Sequence, residues 1–412
     1  MMRLAAQVGT WLPEPTLYAR RLLEKSAAAE TTSVRKGQAV DVPRILAHLA
    51  ANGVSDLPAA ADAKLRQFAH GQSNPTFCLR WGADRGVVVR KQPNGTLLKG
   101  AHDMHREHAF ASALVPLGLP VPRAVGPVCT DHSIVGTDFW VYDYVAGRHF
   151  ADPYLSKAKV EDRPGLFRAG LNAMARLHAA PVPNELRAAY GGEEKHGGGY
   201  LKRQVKTWTR QYGRASEQLG AAVGDEARRH MEKLAETVDA HAADVDETAA
   251  GATVAHGDFR PDNMIFAADG PRVLAVLDWE LSTMGHPLSD LATFLMPHLM
   301  PPMLKGPISG FRGLRDLEKR HGVPPLKDLE AAYFGYLEAE GNAAVVETAR
   351  RALPHFALFS AVTAFRNASI VQGVYARAKA GNASSANAEA LGAFVAILMR
   401  ASEDALAKHA HA

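Results

Sequence analysis

The spacing of apolar positions divides the chain into a strand-rich first part and a helix-rich second part. Asp41 stands just before Pro43 and an apolar run that stops near Gly53, which predicts a capped helix through Ala51. Short segments rich in β-branched and apolar residues follow, and turn-forming residues separate them, as between strands. These segments are 64–69, 76–81, 86–91, 131–135 and 139–145. Residues 102–117 have helical periodicity, so we expect a small antiparallel sheet with one inserted helix.

After Gly147 the composition changes to helix-forming residues. Helices are expected over 166–180, 200–218, 226–243, 287–299 and most of 326–409, with a β-rich interlude at 253–278. The pattern therefore predicts an α+β fold. We expect an N-terminal extension at 1–40 with a short helix at 17–23, a sheet domain at 41–146 and a mainly helical domain at 147–412.

Composition and charge exclude several classes of protein. Hydrophobic residues make up 47% of the 412 residues and charged residues 22%, as in globular proteins. The formal net charge of +4 is too small over this length to indicate a nucleic-acid partner. The two cysteines, Cys78 and Cys129, cannot form a disulfide framework, which fits a reducing compartment. No apolar stretch could span a bilayer and no signal-peptide core is present, so we expect a soluble cytoplasmic protein without a membrane partner.

The segment from His256 to Phe266 carries the strongest chemical signal. It places Asp258 and Asn263 in a polar loop between apolar strands, and Asp278 follows the next strand directly. Phosphoryl transfer needs metal ions to neutralise phosphate charge and a group that aligns the attacking hydroxyl. Asp258 can accept the hydroxyl proton, while Asn263 and Asp278 offer the oxygen ligands that Mg²⁺ prefers. Turn chemistry alone would explain residues 261–263, but it explains neither residues 256–258 nor Asp278.

These motifs resemble the aminoglycoside phosphotransferase and choline kinase superfamily, which shares the protein-kinase fold. The run Asp278–Ala292 is similar to the kinase domain fused to some acyl-CoA dehydrogenases, and so are Gly71–Thr76 and segments within 365–375. The resemblance covers residues 60–385 and implies a bilobal fold with a small antiparallel-sheet N-lobe and a mainly helical C-lobe. It implies ATP and Mg²⁺ as cofactors and phosphorylation of the hydroxyl of a 4-hydroxyacyl-CoA or related hydroxy acid.

The resemblance also implies nucleotide-binding residues in the sheet domain. The loop 70–75 would cover the phosphates through the backbone amides of Ser73 and Asn74, although a simple hairpin turn is an equal alternative. Arg90 or Lys91 would bind the α- and β-phosphates, and since neighbours in a strand face opposite sides, one of the two is expected to do so. Glu107 would pair with that cation.

Three further roles come from the same resemblance. The backbones of Asp143 and Val145 would bind adenine where the sheet ends. His256 and Asp290 are expected to be structural, with Asp290 bracing the catalytic loop. A good helix start at residues 287–290 is the competing explanation for Asp290.

The acceptor site is less well defined by the sequence. The helix 200–214 contains several basic residues and no acidic ones, which favours an anionic acceptor such as a CoA thioester over a cationic aminoglycoside or choline. A solvated basic helix face explains this pattern equally well. The candidate substrate contacts are Arg203, Trp208 and Arg366, although core packing also accounts for Trp208. His102, His105 and His108 drift around a helix and do not have the spacing of a zinc site.

Other functions stay open at this stage. An aminoglycoside or choline-type kinase is the enzymatic alternative, and a catalytically inactive nucleotide-binding pseudokinase is the non-enzymatic one. Because the chain ends soon after the helical domain, we expect either a stand-alone kinase or one that works with a separate acyl-CoA dehydrogenase.

Overall fold

A five-stranded antiparallel sheet forms the first part of the fold, which is taken from a computed structural model. Its strands lie in sequential order, and they are β1 (Thr31–Thr32), β2 (Lys64–Phe68), β3 (Thr76–Trp81), β4 (Arg85–Lys91) and β5 (Phe139–Asp143). The structure describes residues 31–35, 37–38, 40–68, 74–81, 85–94, 102–191, 199–248, 250–300, 313–315, 318–380 and 388–410. The expected helix at 17–23 lies outside these residues.

Alternation along the strands builds the core of the sheet. Phe77 and Leu79 of β3 lie opposite Val89 and Val87 of β4, and all four side chains are buried. They share one face because side chains two apart in a strand point the same way. That face packs on helix α1 (Val42–Ala51), which begins as predicted with the Asp41 side chain accepting a hydrogen bond from the amide of Arg44 at 3.0 Å.

One expectation for this region differs from the structure. Residues 131–135 do not form a strand, because the Asp131 carboxylate accepts the amide of Ser133 at 3.0 Å and caps the short helix α3 (His132–Val135). A local side-chain cap here outweighs the β-branched composition. The sheet begins before residue 41, since β1 pairs with β2. Helix α2 (Met104–Leu114) is the predicted inserted helix, and it lies between β4 and β5.

The remainder of the chain is mainly helical, as predicted. Its helices are α4 (Arg163–Ala179), α5 (Asn184–Tyr190), α6 (Tyr200–Gln218), α7 (Asp225–Ala240), α8 (Ala242–Val245), α9 (Pro287–Leu299), α10 (Glu318–His321), α11 (Leu326–Ala339), α12 (Ala343–Ala352), α13 (Phe356–Lys379) and α14 (Ala388–Ala410). Helix α13 is buried along most of its length and packs against α6, α9 and α14. A helix that is apolar on nearly every side needs such neighbours on every side.

Short strands interrupt the helices in the predicted β-rich interlude. They are β7 (Thr253–Ala255), β8 (Met264–Phe266), β9 (Val273–Val276) and β10 (Thr283–Gly285), and β6 (Arg148–His149) precedes the helical part. Strand β7 pairs antiparallel with β10, so the chain returns beside Ala255 after the loop that follows β9. Strand β6 pairs with β8.

The described residues divide into two compact units. The first comprises residues up to Met104, Ala124–His149 and Ile265–Gly270, and the second comprises His105–Arg123, Phe150–Met264 and Pro271 onward. The domain limits at residues 40 and 146 remain predictions. Among the residues that the structure describes, no helix combines the length and the apolar character that crossing a bilayer requires.

Two buried histidines make stability depend on pH. Burial, with a smaller contribution from Lys233, lowers the pKa of His230 to about 4, and burial, with Arg351 nearby, lowers that of His286 to about 3. In the unfolded chain histidine has a pKa of about 6.5. At pH values between the folded-state and unfolded-state pKa, the unfolded state binds more protons than the folded state. The free energy of unfolding therefore falls as the pH decreases from about 6.5.

We expect His230→Gln to reduce this pH dependence. Between about pH 6 and 5 the free energy of unfolding of the unmodified protein should fall more steeply than that of the variant, by about 1.4 kcal/mol per pH unit at most. Urea unfolding at several pH values measures the two slopes, with His132→Gln at an exposed histidine as the matched control. Equal slopes for the unmodified chain and His230→Gln would contradict the assignment.

Candidate active site

The loop after β7 depends on a glycine at its turn. Gly257 has φ +85°, a conformation that residues with a Cβ rarely adopt. A Cβ atom there would lie 2.7 Å from the carbonyl oxygen of Leu281, so the space is also closed to a side chain. The turn leads from β7 to Asp258. The glycine in His256-Gly257-Asp258 is therefore required by the backbone conformation and the close packing of this turn.

A buried carboxylate holds the backbone of this loop. Asp290, in the first turn of α9, accepts the amide of His256 at 2.7 Å and the amide of Gly257 at 2.8 Å. The helix start does not need Asp290 as its cap, because His286 Nδ1 accepts the amide of Leu288. These contacts are the ones expected of a residue that braces the loop, rather than of a helix cap.

A second layer supports the bracing carboxylate. His178 Nε2 donates to Asp290 at 3.2 Å, and the Tyr333 hydroxyl donates to His178 Nδ1 at 2.8 Å. Burial raises the pKa of Asp290, but the hydrogen bonds from His178 and the loop amides outweigh it and hold the pKa below the ordinary range. Asp290 is therefore a carboxylate near neutral pH, and a carboxylate can accept from all three donors.

His256 joins the loop to the strand before Asp278. Its Nδ1 accepts the amide of Asp258 at 3.1 Å, and its Nε2 donates to the carbonyl of Leu277 at 3.0 Å. Burial lowers the pKa of His256, although the nearby carboxylates oppose this. A neutral imidazole has one donor and one acceptor, which is the pattern these two bonds need. These contacts support the structural role predicted for His256.

Asp258 and Asn263 are brought together by direct contact. Asn263 Nδ2 donates to Asp258 Oδ2 at 3.0 Å and to the Asp258 carbonyl at 2.9 Å. The other carboxylate oxygen, Oδ1, lies 3.3 Å from Arg260 Nε. Both oxygens of Asp258 therefore have a partner that fixes the orientation of the carboxylate. The Asn263 side-chain oxygen takes part in neither of the bonds to Asp258.

Asp278 lies beside the same loop. The amide of Leu277 donates to the Asn263 carbonyl at 2.8 Å, which brings the end of β9 next to the loop. Asp278 then adopts φ +70°, a left-handed conformation that costs a residue with a side chain about 1–3 kcal/mol. Burial lowers the pKa of Arg260, but the charges of Asp258, Asp262 and Asp278 raise it above its ordinary value. Asp258 and Asp278 thus act on one guanidinium.

The donor set in this loop fits a hard cation. Two carboxylates and one amide oxygen are oxygen ligands, with no sulfur or imidazole nitrogen among them. Mg²⁺ takes such ligands and keeps several waters, so a few protein oxygens suffice. Asn263 and Asp278 are the residues that would hold it, while Asp258 is oriented by Asn263 and Arg260.

In the sheet, the two candidate phosphate cations have different environments. Lys91 shares the face of Val87 and Val89, and its Nζ contacts the Val135 carbonyl and lies 3.2 Å from Asn94 Oδ1. Burial lowers the pKa of Lys91. Arg90 lies on the opposite face and approaches Thr76 Oγ1 at 3.5 Å. Both side chains are buried, and the choice of Arg90 as the phosphate-binding cation remains a prediction.

The remaining predicted nucleotide residues are located as follows. Ser73 lies outside the described residues, and Asn74 is buried with its Oδ1 2.9 Å from His102 Nδ1. Glu107 is buried in α2. Asp143 ends β5 opposite Val87, and Val145 follows the sheet by two residues. Their roles remain predictions.

The predicted substrate contacts are occupied inside the helical unit. Arg203 pairs with the buried Glu247 at 3.0 Å and also donates to the Met284 carbonyl at 3.1 Å. The Trp208 indole donates to Gln204 within the same helix, and Arg366 is buried and donates to Thr293. These contacts support structural roles. The acidic partner of Arg203 comes from a distant segment, which a basic residue on a helix does not reveal, and the predicted substrate contacts remain predictions.

Three residues of the site escaped the sequence analysis. Arg260 had a local signal, since it is the only base between the two acids Asp258 and Asp262. His178 and Tyr333 had none, because they come from helices far away in the sequence and meet Asp290 only in the folded unit.

A curated protein is similar in sequence to most of this chain. The chain is 35% identical over 363 residues to acyl-CoA dehydrogenase family member 10 of Mus musculus, which covers 88% of the chain and 31% of that relative. The chain thus spans about a third of the length of this curated relative.

Solved structures share the fold. A Ralstonia eutropha protein described as a candidate aminoglycoside phosphotransferase is 26% identical, with a TM-score of 0.64 over 89% of this chain and 98% of the other. Choline kinase from Cryptosporidium parvum has a TM-score of 0.58 over 89% of this chain and 97% of its own, and at 12% identity this likeness shows the fold alone.

These likenesses confirm the α+β kinase-like fold and the resemblance to this superfamily. The profile of the phosphotransferase enzyme family matches residues 64–342, which is more than half of the chain. The protein therefore belongs to the phosphotransferase enzyme family.

Proposed function

We propose that this phosphotransferase uses ATP and Mg²⁺ to phosphorylate the hydroxyl of a hydroxyacyl-CoA or a related hydroxy acid. The observation that carries the chemistry is the contact of Asp258 with Asn263 beside Asp278, in a loop whose backbone Asp290 braces. The acyl-CoA part of the proposal is supported by the similarity to an acyl-CoA dehydrogenase family member. A separate acyl-CoA dehydrogenase as a working partner belongs to the same proposal.

In the proposed mechanism Asp258 receives the proton of the acceptor hydroxyl as its oxygen attacks the γ-phosphorus, and ADP leaves. Asn263 and Arg260 hold the Asp258 carboxylate in one orientation, which supports a role in aligning the hydroxyl. Mg²⁺, when bound by Asn263 and Asp278, supplies the positive charge that phosphate transfer requires. Arg90 is the proposed cation for the other phosphates, and Glu107, Asp143 and Val145 complete the proposed nucleotide contacts.

One observation favours a second acceptor class. The relative that is 26% identical over most of this chain is described as a candidate aminoglycoside phosphotransferase. In addition, the basic face of α6 is weaker support for an anionic acceptor than the sequence indicated, because Lys202 pairs with Asp239 and Arg203 pairs with Glu247. An aminoglycoside or choline-type acceptor is therefore the second candidate.

Asp258→Asn should abolish most of the activity without unfolding the protein. The amide keeps the shape of the carboxylate but cannot accept the hydroxyl proton, so kcat should fall by about 10²–10⁴-fold. Steady-state ADP release measures kcat, and thermal unfolding checks the fold. Asp239→Asn, at an exposed acid of the same unit, is the matched control. A kcat for Asp258→Asn close to that of the control would contradict the role of Asp258.

The acceptor should be identified by ADP release with three compounds at equal concentration. We expect 4-hydroxyacyl-CoA to give a kcat/KM at least about tenfold above those of kanamycin and choline. An acceptor that the site does not recognise binds less tightly in the transition state, and this lowers its kcat/KM. Rates confined to kanamycin or choline would overturn the substrate class while leaving the phosphotransferase chemistry intact. A rise in Tm with Mg²⁺ and ATP, without ADP release from any acceptor, would indicate a nucleotide-binding pseudokinase.

Arg203→Met should destabilise the protein and leave acceptor binding unchanged. The substitution leaves the Glu247 carboxylate buried without its cation, and such a loss costs about 3–5 kcal/mol of unfolding free energy. Urea unfolding measures the loss, and KM for the acceptor tests binding. Arg210→Met, at an exposed residue of the same helix, is the control. A raised KM for the acceptor with an unchanged free energy of unfolding would indicate that Arg203 contacts the substrate.

A further inference from the structure

Three histidines from distant parts of the sequence meet in the helical unit. His241 follows the last residue of α7, His355 ends the turn that leads into α13, and His409 lies in the last turn of α14. Their ring centroids are separated by 4.6 Å (241–355), 4.8 Å (241–409) and 5.2 Å (355–409). One nitrogen from each ring can be chosen so that all three lie within 4.8 Å of one another.

The nitrogens of two of these rings have unmet bonding capacity. Nδ1 of His355 and Nδ1 of His409 are buried, and neither has a hydrogen-bond partner among the described residues. A buried polar atom without a hydrogen-bond partner destabilises the folded state, and such atoms are rare unless an ion or another group binds them. A bound cation would provide one, because the lone pair of a neutral imidazole is a metal ligand.

A carboxylate lies behind one of the rings. Asp244 Oδ2, in the short helix α8, is 3.5 Å from His355 Nε2, the nitrogen opposite the unpartnered Nδ1. Metal-binding histidines usually donate their other ring N–H to a carboxylate, which fixes the tautomer and the ring orientation. Asp244 lies on the Nε2 side of the His355 ring, so Nδ1 is on the side away from this carboxylate.

We propose that His241, His355 and His409 bind one divalent transition-metal ion of the zinc class. Three imidazole nitrogens without a hard oxygen ligand suit Zn²⁺, Cu²⁺ or Ni²⁺ rather than Mg²⁺ or Ca²⁺. Nitrogens about 2.0–2.1 Å from a tetrahedral ion lie roughly 3.4 Å apart, so the rings close inward on binding. The ion fastens α14 to the end of α7 and the start of α13. It is separate from the proposed Mg²⁺ ligands, with which it shares no residue.

The first test is metal binding by the full-length chain made without a histidine tag and stripped with a chelator. We expect calorimetric titration with Zn²⁺ to give one site per chain, elemental analysis after dialysis to give one zinc, and Co²⁺ to produce the visible bands of a tetrahedral site. Zn²⁺ should also raise Tm by several degrees, because a ligand that binds the folded state stabilises it. Absence of any bound ion at micromolar Zn²⁺, or a Co²⁺ spectrum identical to that of the hydrated ion, would overturn the proposal.

The second test assigns the ligands. His409→Asn is preferred because it changes the last turn of the final helix, and His355→Asn is the second variant. Each should weaken Zn²⁺ binding at least about tenfold and remove the rise in Tm, while Tm in chelator stays near that of the unmodified chain. His132→Asn, at an exposed histidine paired with Asp138, removes the same residue type and is the control. Equal affinity in the unmodified chain and both variants would overturn the site.

Discussion

The carboxylate of Asp290 is the constraint on which the site depends. It is fully buried, and it accepts hydrogen bonds from two consecutive amides of the loop and from His178. A buried charge is costly unless donors surround it, so the loop and the carboxylate each require the other. Because Asp290 lies on a helix with a buried face, the position of Asp258 is set by the packing of α9 rather than by the loop alone.

Two further sets of contacts position the acids of the loop. His256 links the loop to the strand that precedes Asp278, with one donor and one acceptor nitrogen. Asn263 and Arg260 contact the two carboxylate oxygens of Asp258. The acidic groups of the loop are thus held close together by one guanidinium and a set of hydrogen bonds, without burying an uncompensated charge. A polar network of this kind fixes orientation better than isolated turn residues could.

Much of the fold and the residues of the loop were predictable from the sequence, because both depend on local pattern. Strand alternation located β3 and β4, and the helices α6 and α9 have the bounds that periodicity predicted. Non-local contacts were not predictable. The cap at Asp131 replaced a strand by a helix, Glu247 reached Arg203 from a distant segment, and the three histidines meet only when α7, α13 and α14 pack. The histidines that are close in sequence, at 102, 105 and 108, do not have the spacing of a zinc site.

At Asp278 the carboxylate proposed for metal binding stands on a left-handed backbone that lowers the stability of the fold. Glycine would adopt φ +70° without steric cost, whereas the aspartate holds it at a penalty. Replacing Asp278 by glycine would relieve the backbone and would remove the carboxylate at the same time. The stability of this turn and the presence of an acid there are therefore opposed.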